Sequence, residues 1–104
     1  MASVCWLEDR DERLARARAL AEADPAAALA LVEQVLAEVP ADREALCAKG
    51  AVLVDVADRE RDPARARIVY DEAVALLEAH GGERRDLEAA RRGRETTSGA
   101  RRTG

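Results

Sequence analysis

The spacing of apolar residues along this 104-residue chain predicts helices. In the best-marked segment, apolar residues recur every three or four positions from Ala28 to Val39, which places them on one face of a helix. Asp24 and Pro25 precede this segment. Aspartate followed by proline starts a helix well, because the carboxylate accepts from free N–H groups and proline has no N–H to satisfy. Pro40 then ends the predicted helix, since the residue before a proline avoids helical backbone angles.

The same start signals recur further along the chain. Asp42 precedes a third apolar pattern, and Asp62 with Pro63 precedes a fourth, which Gly81 closes. The apolar pattern of the first helix is weak in its middle, so that helix could begin near Ser3 or near Asp9. The predicted helices cover approximately residues 3–23, 25–38, 43–57, 63–79 and 83–92, and we expect a disordered basic tail over residues 93–104.

Composition limits the core that these helices can build. The chain has no Phe and only one Trp and one Tyr, Trp6 and Tyr70, and alanine dominates its apolar residues. Alanine favours helices but buries little surface. A chain of this length forms one domain, which we expect to span residues 1–92. The sequence therefore predicts an all-α domain with a thin core.

Small residues stand at intervals that stacked helical hairpins require. Ala28, Pro40 and Gly50 are separated by 12 and 10 residues, and a later helix repeats small and aromatic positions at Ala66, Tyr70 and Ala73. Helices packed ~8–10 Å apart accept only small side chains where they cross, so we expect Gly50 at a close helix contact. Over roughly residues 9–79 this spacing resembles a degenerate tetratricopeptide repeat.

The sequence departs from the family pattern at several positions. Arg16 stands where the first repeat should have glycine, Lys49 replaces an apolar residue, and Glu78 replaces a second closing proline. The interval from Gly50 to Ala66 is also longer than the family spacing. The resemblance therefore covers about two repeats, one of them loose.

The resemblance implies both an architecture and a binding face. It implies two antiparallel helical hairpins stacked as a short solenoid, with the helix over 83–92 as a possible cap. The first helix of each hairpin would line a concave face that holds an extended or helical peptide. Carried over by register, the residues on that face would be Arg10, Arg13, Ala17, Glu44, Cys47, Ala51, Val54 and Asp55.

These observations favour a small non-catalytic interaction module, either an adaptor or an assembly subunit. Two hairpins leave an apolar flank that a cap or a second copy must cover, so we also expect a homodimer. The alternative is binding of nucleic acid or another acidic partner through the arginine-rich tail. Residues 83–104 carry a net charge of +3 and residues 1–82 carry −7. Nucleic acid is the less favoured partner, because the tail lacks aromatic residues and the acidic body repels phosphate.

The residues that could carry other chemistry are sparse. His80 is the single histidine, Cys5 and Cys47 form no CxxC pair, and the acidic turn over 58–62 is interleaved with arginines. We therefore expect neither an enzyme nor a metal or other cofactor. The sequence shows no apolar run long enough to span a bilayer and no signal-peptide pattern, so we expect a cytoplasmic protein without a membrane partner.

Overall fold

The computed structural model describes the backbone of residues 2–103 and the side chains of residues 9–97. Trp6 and Cys5 have side chains outside this described part. All regular secondary structure in residues 2–103 is helical, which confirms the predicted all-α class. The helices are α1 (Ala2–Leu20), α2 (Pro25–Glu38), α3 (Arg43–Arg59), α4 (Pro63–His80) and α5 (Arg84–Thr103).

The predicted helix starts and the predicted glycine end are present. The side chains of Asp24, Asp42 and Asp62 each accept a hydrogen bond from a backbone N–H in the first turn of α2, α3 and α4, at 3.1, 3.2 and 3.0 Å. Gly81 follows α4 with a φ of 73°, the left-handed conformation that glycine adopts without strain. Local side-chain chemistry therefore fixes most of the helix boundaries.

Two ends of the chain differ from the sequence prediction. Ser3 lies within α1 rather than before it, because that helix begins at Ala2. At the other end, α5 passes through residue 93, where we expected the domain to end and disorder to begin, and it continues to Thr103. Within this extension the hydroxyls of Thr96 and Thr97 donate to backbone carbonyls three or four residues earlier, at 2.9 and 2.8 Å. These bonds satisfy hydroxyl groups without interrupting the helix.

Each helix packs against the next as an antiparallel hairpin, and α3 also contacts both α1 and α5. This arrangement places the three odd-numbered helices on one side of the domain. The core consists of two clusters with Leu29 packed against both. Its largest fully buried side chains are Leu14, Leu77, Val32, Val35 and Val52, and most of its other members are alanine. The thin core expected from composition is therefore present.

Two glycines allow α4 to approach its neighbours closely. A Cβ atom on Gly50 of α3 would lie 2.8 Å from Leu77 Cγ, and one on Gly93 of α5 would overlap the ring of Tyr70. The close contact expected at Gly50 is therefore present, and it lies between α3 and α4. Gly93 stands one residue beyond the predicted end of α5, and it allows the helix to pack closely against Tyr70 of α4 at that point.

A partly buried ion pair joins α1 to the start of α3. The Arg10 guanidinium donates to both carboxylate oxygens of Asp42, at 2.5 and 2.9 Å, while the Asp42 side chain is only 8 % exposed. Arg10 is the main cause that holds the pKa of Asp42 below its ordinary value. Asp42 thus has two roles, as the N-cap of α3 and as the anchor for α1.

Substitution of Gly93 by alanine tests the contact with Tyr70. We expect Gly93→Ala to lower the free energy of unfolding by about 1–2 kcal/mol, because an added methyl forces α4 and α5 apart. This loss opposes the ~1 kcal/mol that alanine gains over glycine inside a helix. Urea unfolding followed by circular dichroism measures the change. The control Thr96→Ala, at an exposed position on the same helix, should be neutral or stabilising, and stabilisation by Gly93→Ala would contradict the contact.

Substitution of Asp42 by asparagine separates its charge from its capping role. At pH 7 we expect Asp42→Asn to cost about 1.5–3 kcal/mol through the weakened bond to Arg10, and Asp42→Ala to cost about 1 kcal/mol more through loss of the cap. Because the folded state lowers the pKa of Asp42, its stabilisation is complete above the unfolded pKa near ~3.9 and is lost as pH falls through the folded value. Urea unfolding at pH 7 and at pH 3 checks both expectations. An Asp42→Asn deficit that stayed constant with pH would contradict them.

Candidate functional site

A groove lies on the side of the domain where the odd-numbered helices meet. It encloses a cavity of about 480 Å³. The groove is lined from α1 and the turn after it by Arg18, Ala21 and Glu22, from α3 by Cys47, Ala48, Ala51, Val52, Val54, Asp55 and Asp58, and from α5 and the residue before it by Glu83, Arg85, Asp86 and Ala89.

Helical spacing on α3 produces the floor of the groove. Ala51 and Val52 lie three and four residues after Ala48, so both are neighbours of Ala48 on one side of the helix. Ala48 and Val52 are buried in the core, whereas Ala51 is half-buried. Small side chains along this face leave space between the flanking helices α1 and α5. The groove is therefore apolar at its floor.

The structure divides the residues that the sequence assigns to a binding face. Four of them line the groove along α3, namely Cys47, Ala51, Val54 and Asp55. Ala17 is fully buried in the core, although it shares a register with them.

The other three predicted residues lie outside the groove. Arg10 binds Asp42, and Glu44 lies 3.8 Å from the same guanidinium. Arg13 pairs with Asp9 at 2.5 Å and also lies 3.6 Å from Glu38. Both arginines bind carboxylates of their own chain, and both lie in the middle of α1, before Arg18 at the groove.

Sequence reasoning missed the walls that α1 and α5 contribute. Arg18 and Glu22 lie four residues apart at the end of α1 and in the turn after it. Glu83, just before α5, and Asp86 and Ala89 within it are spaced three residues apart. The signal for the residues near the start of α5 is the predicted helix over 83–92, to which the resemblance assigns only the role of a cap. If this predicted helix is taken as the first helix of a further hairpin, the same register places Glu83, Asp86 and Ala89 on the groove.

The groove is acidic. Five carboxylates line it, from Glu22, Asp55, Asp58, Glu83 and Asp86, and the two arginines among its lining residues leave a net charge of −3. Burial, followed by the nearby carboxylates of Asp58 and Glu22, raises the pKa of Asp55. Burial and the neighbouring Glu83 raise the pKa of Asp86 in the same way. The ionised forms of Asp55 and Asp86 are therefore disfavoured, first by burial and then by repulsion from neighbouring carboxylates.

Hydrogen bonds hold both ends of the groove in place. At one end the Cys47 thiol donates to the His80 carbonyl at 3.3 Å, and Arg43 Nε donates to the same oxygen at 2.7 Å. At the other end the Tyr70 hydroxyl donates to Asp58, and Arg59 donates to the Glu22 carbonyl. These bonds link α3 to α4 and to the turn after α1, so the groove is built on a fixed frame.

Two kinds of site are absent from the described residues. Among residues 9–97, His, Cys, Asp and Glu side chains form no group of three or more that could hold a metal ion. Within the helices that the structure describes, none is both long and apolar enough to cross a membrane.

Neutralising Asp55 tests the combined cost of burying its carboxylate and of placing it near other carboxylates. Because the folded state raises the pKa of Asp55, its ionised form destabilises the fold above the unfolded pKa, and this cost disappears at low pH. We therefore expect Asp55→Asn to raise the melting temperature at pH 7 and to leave it unchanged near pH 3. Thermal unfolding by circular dichroism measures the shift. The exposed control Glu12→Gln should leave the melting temperature unchanged, and a lower melting temperature for Asp55→Asn at pH 7 would contradict the interpretation.

No protein-family model, no curated protein and no solved structure matches this chain. The groove is therefore defined by its own residues. It has an apolar floor on α3, acidic walls, and ends that hydrogen bonds hold in place. The resemblance of the spacing to tetratricopeptide repeats remains a prediction.

Proposed function

We propose that this chain is a small non-catalytic interaction module, an adaptor or assembly subunit, whose groove binds an extended or helical peptide of another protein. The observation that carries the proposal is the groove between α1, α3 and α5, along which Cys47, Ala51, Val54 and Asp55 follow one another on α3. The tetratricopeptide-like spacing supports the same interpretation, because it assigned those four residues to a peptide-binding face.

The size and chemistry of the groove suit a peptide. A cavity of about 480 Å³ falls within the roughly 300–1,000 Å³ of ordinary ligand sites. Its small apolar floor accepts side chains of a partner, and its charged rim can fix their orientation, as protein interfaces combine an apolar centre with a polar edge. The hydrogen-bonded ends keep the groove open before binding, which lowers the entropic cost of association.

The groove chemistry supports a binding role over a catalytic one. Cys47 is the one thiol among its lining residues, and burial raises the pKa of that thiol, which disfavours the thiolate needed for nucleophilic attack. The Cys47 proton is also directed at the His80 carbonyl. A free thiol is compatible with the cytoplasmic location that forms part of this proposal.

The alternative of nucleic-acid binding through the arginine-rich end has less support. Arg91 pairs with Glu78 at 2.5 Å, and Arg94 lies 3.7 Å from Asp71, both on α4. These carboxylates compete with phosphate for the two arginines.

Peptide selection with groove variants tests the proposal. Peptides selected from a random displayed library on the immobilised full chain are labelled, and their affinity is measured by fluorescence anisotropy. We expect Ala51→Met to weaken binding about tenfold or more, because the longer side chain occupies the floor of the groove. A tenfold loss corresponds to ~1.4 kcal/mol. Methionine retains good helix propensity, so circular dichroism should show an unchanged fold.

The matched control is Ala75→Met, which places the same side chain on the exposed outer face of α4. We expect it to leave peptide affinity unchanged. Failure to select any peptide, or equal losses for Ala51→Met and Ala75→Met, would refute the groove as the binding surface.

A further inference from the structure

The charge of the groove has its complement on the same chain. The groove lining carries a net charge of −3. Residues 91–103, the second half of α5, contain five arginines and one glutamate, a net charge of +4. Opposite charges of this size on separate surfaces of one protein attract two copies to each other.

The arginine-rich half of α5 cannot reach the groove of its own chain. Asp86, in the groove wall, and Arg102 belong to the same continuous helix. At 1.5 Å per residue, their positions are separated by about 24 Å along the helix axis. The straight helix therefore holds its own positive end away from its own acidic groove.

Part of the positive charge on this half of α5 is available to a partner. Arg91 and Arg94 pair with carboxylates on α4, whereas Arg92 is exposed and has no ion-pair partner among the described residues. Arg101 and Arg102 add two charges from the sequence.

We propose that the groove binds the arginine-rich half of α5 from a second copy of this chain. Two α5 helices that run antiparallel about a two-fold axis near residue 94 place position 102 of each copy opposite position 86 of the other. Both grooves are then filled at once, so the contact closes into a homodimer and does not propagate. This inference rests on the proposed function, because it names an occupant for the same groove.

The pairing also regulates the groove. An α5 segment of the second copy excludes a peptide of another protein from the same space, so an external partner must displace the homodimer. High salt weakens the pairing, since the contact depends on exposed charges.

A charge-exchange experiment tests the pairing by sedimentation equilibrium of the full chain at low salt. The wild type is expected to dimerise at high micromolar concentration. The triple variant Arg92→Glu/Arg101→Glu/Arg102→Glu, with a negative tail, and the double variant Asp55→Arg/Asp86→Arg, with a positive groove, should each be monomeric. A mixture of the two should form a heterodimer, because each tail then meets a groove of opposite sign.

The matched control is Arg61→Glu/Arg65→Glu/Arg67→Glu, which makes the same change in net charge at another place. Arg61 lies just before α4, and Arg65 and Arg67 lie near its start. This control should dimerise like the wild type. If the reversed groove impairs folding by circular dichroism, the milder Asp55→Asn/Asp86→Asn replaces it and should raise the dimer dissociation constant at least tenfold.

A monomeric wild type, dissociation of the control to the same extent as the tail variant, or failure of the mixture to associate would each overturn the inference. These outcomes are distinguishable from failure of the proposed function. A chain that stays monomeric but still binds selected peptides in an Ala51-dependent manner refutes only the second copy as occupant. If the wild type dimerises, and the monomeric tail variant with its intact groove selects no peptide, the external partner is refuted and the pairing is retained.

Discussion

Close packing of α4 against α3 and α5 is the constraint on which the rest of the structure depends. Gly50 of α3 leaves space for the Leu77 side chain of α4, and Gly93 of α5 leaves space for the Tyr70 ring of α4. Because neither crossing has a Cβ atom on the glycine side, α4 lies close to both neighbours. The two contacts hold α5 beside α3, which is the relation that forms the groove. In a chain with few large apolar residues, close contact between helices thus compensates for a core of small side chains.

The groove combines this rigid frame with unfavourable electrostatics. Asp55 and Asp86 have raised pKa values because each is partly buried and lies near other carboxylates. Arg10, by contrast, stabilises the ionised carboxylate of Asp42 at the start of α3. Asp42 is therefore paired where it supports the fold, whereas the five carboxylates of the groove are only partly compensated by Arg18 and Arg85. Perturbed carboxylate pKa values of this kind cluster at functional sites.

Local signals predicted the helices well, and long-range packing decided the remainder. Asp24, Asp42 and Asp62 set helix starts through contacts within three residues, so the sequence pattern was sufficient. The close approach of α5 to α4 depends on the contact between Gly93 and Tyr70, and no local sequence pattern reveals a contact with a residue of another helix. Likewise, helical register predicts the groove residues on α3. The positions of Glu22 and Asp86 in the groove depend on the packing of α1 and α5 beside α3, which the sequence pattern does not reveal. The register of Arg10 predicts a place on the binding face, but its ion pair with Asp42 lies outside the groove.

Chemical-shift mapping tests most directly whether the groove of the odd-numbered helices is the binding surface. The full chain, labelled with ¹⁵N, is titrated with a selected peptide, and backbone amide shifts are followed in two-dimensional spectra. The account predicts the largest changes along α3 at Cys47, Ala51 and Asp55, and along α5 near Asp86 and Ala89. Changes concentrated on the outer faces of α2 and α4, with the α3 amides unperturbed, would contradict it.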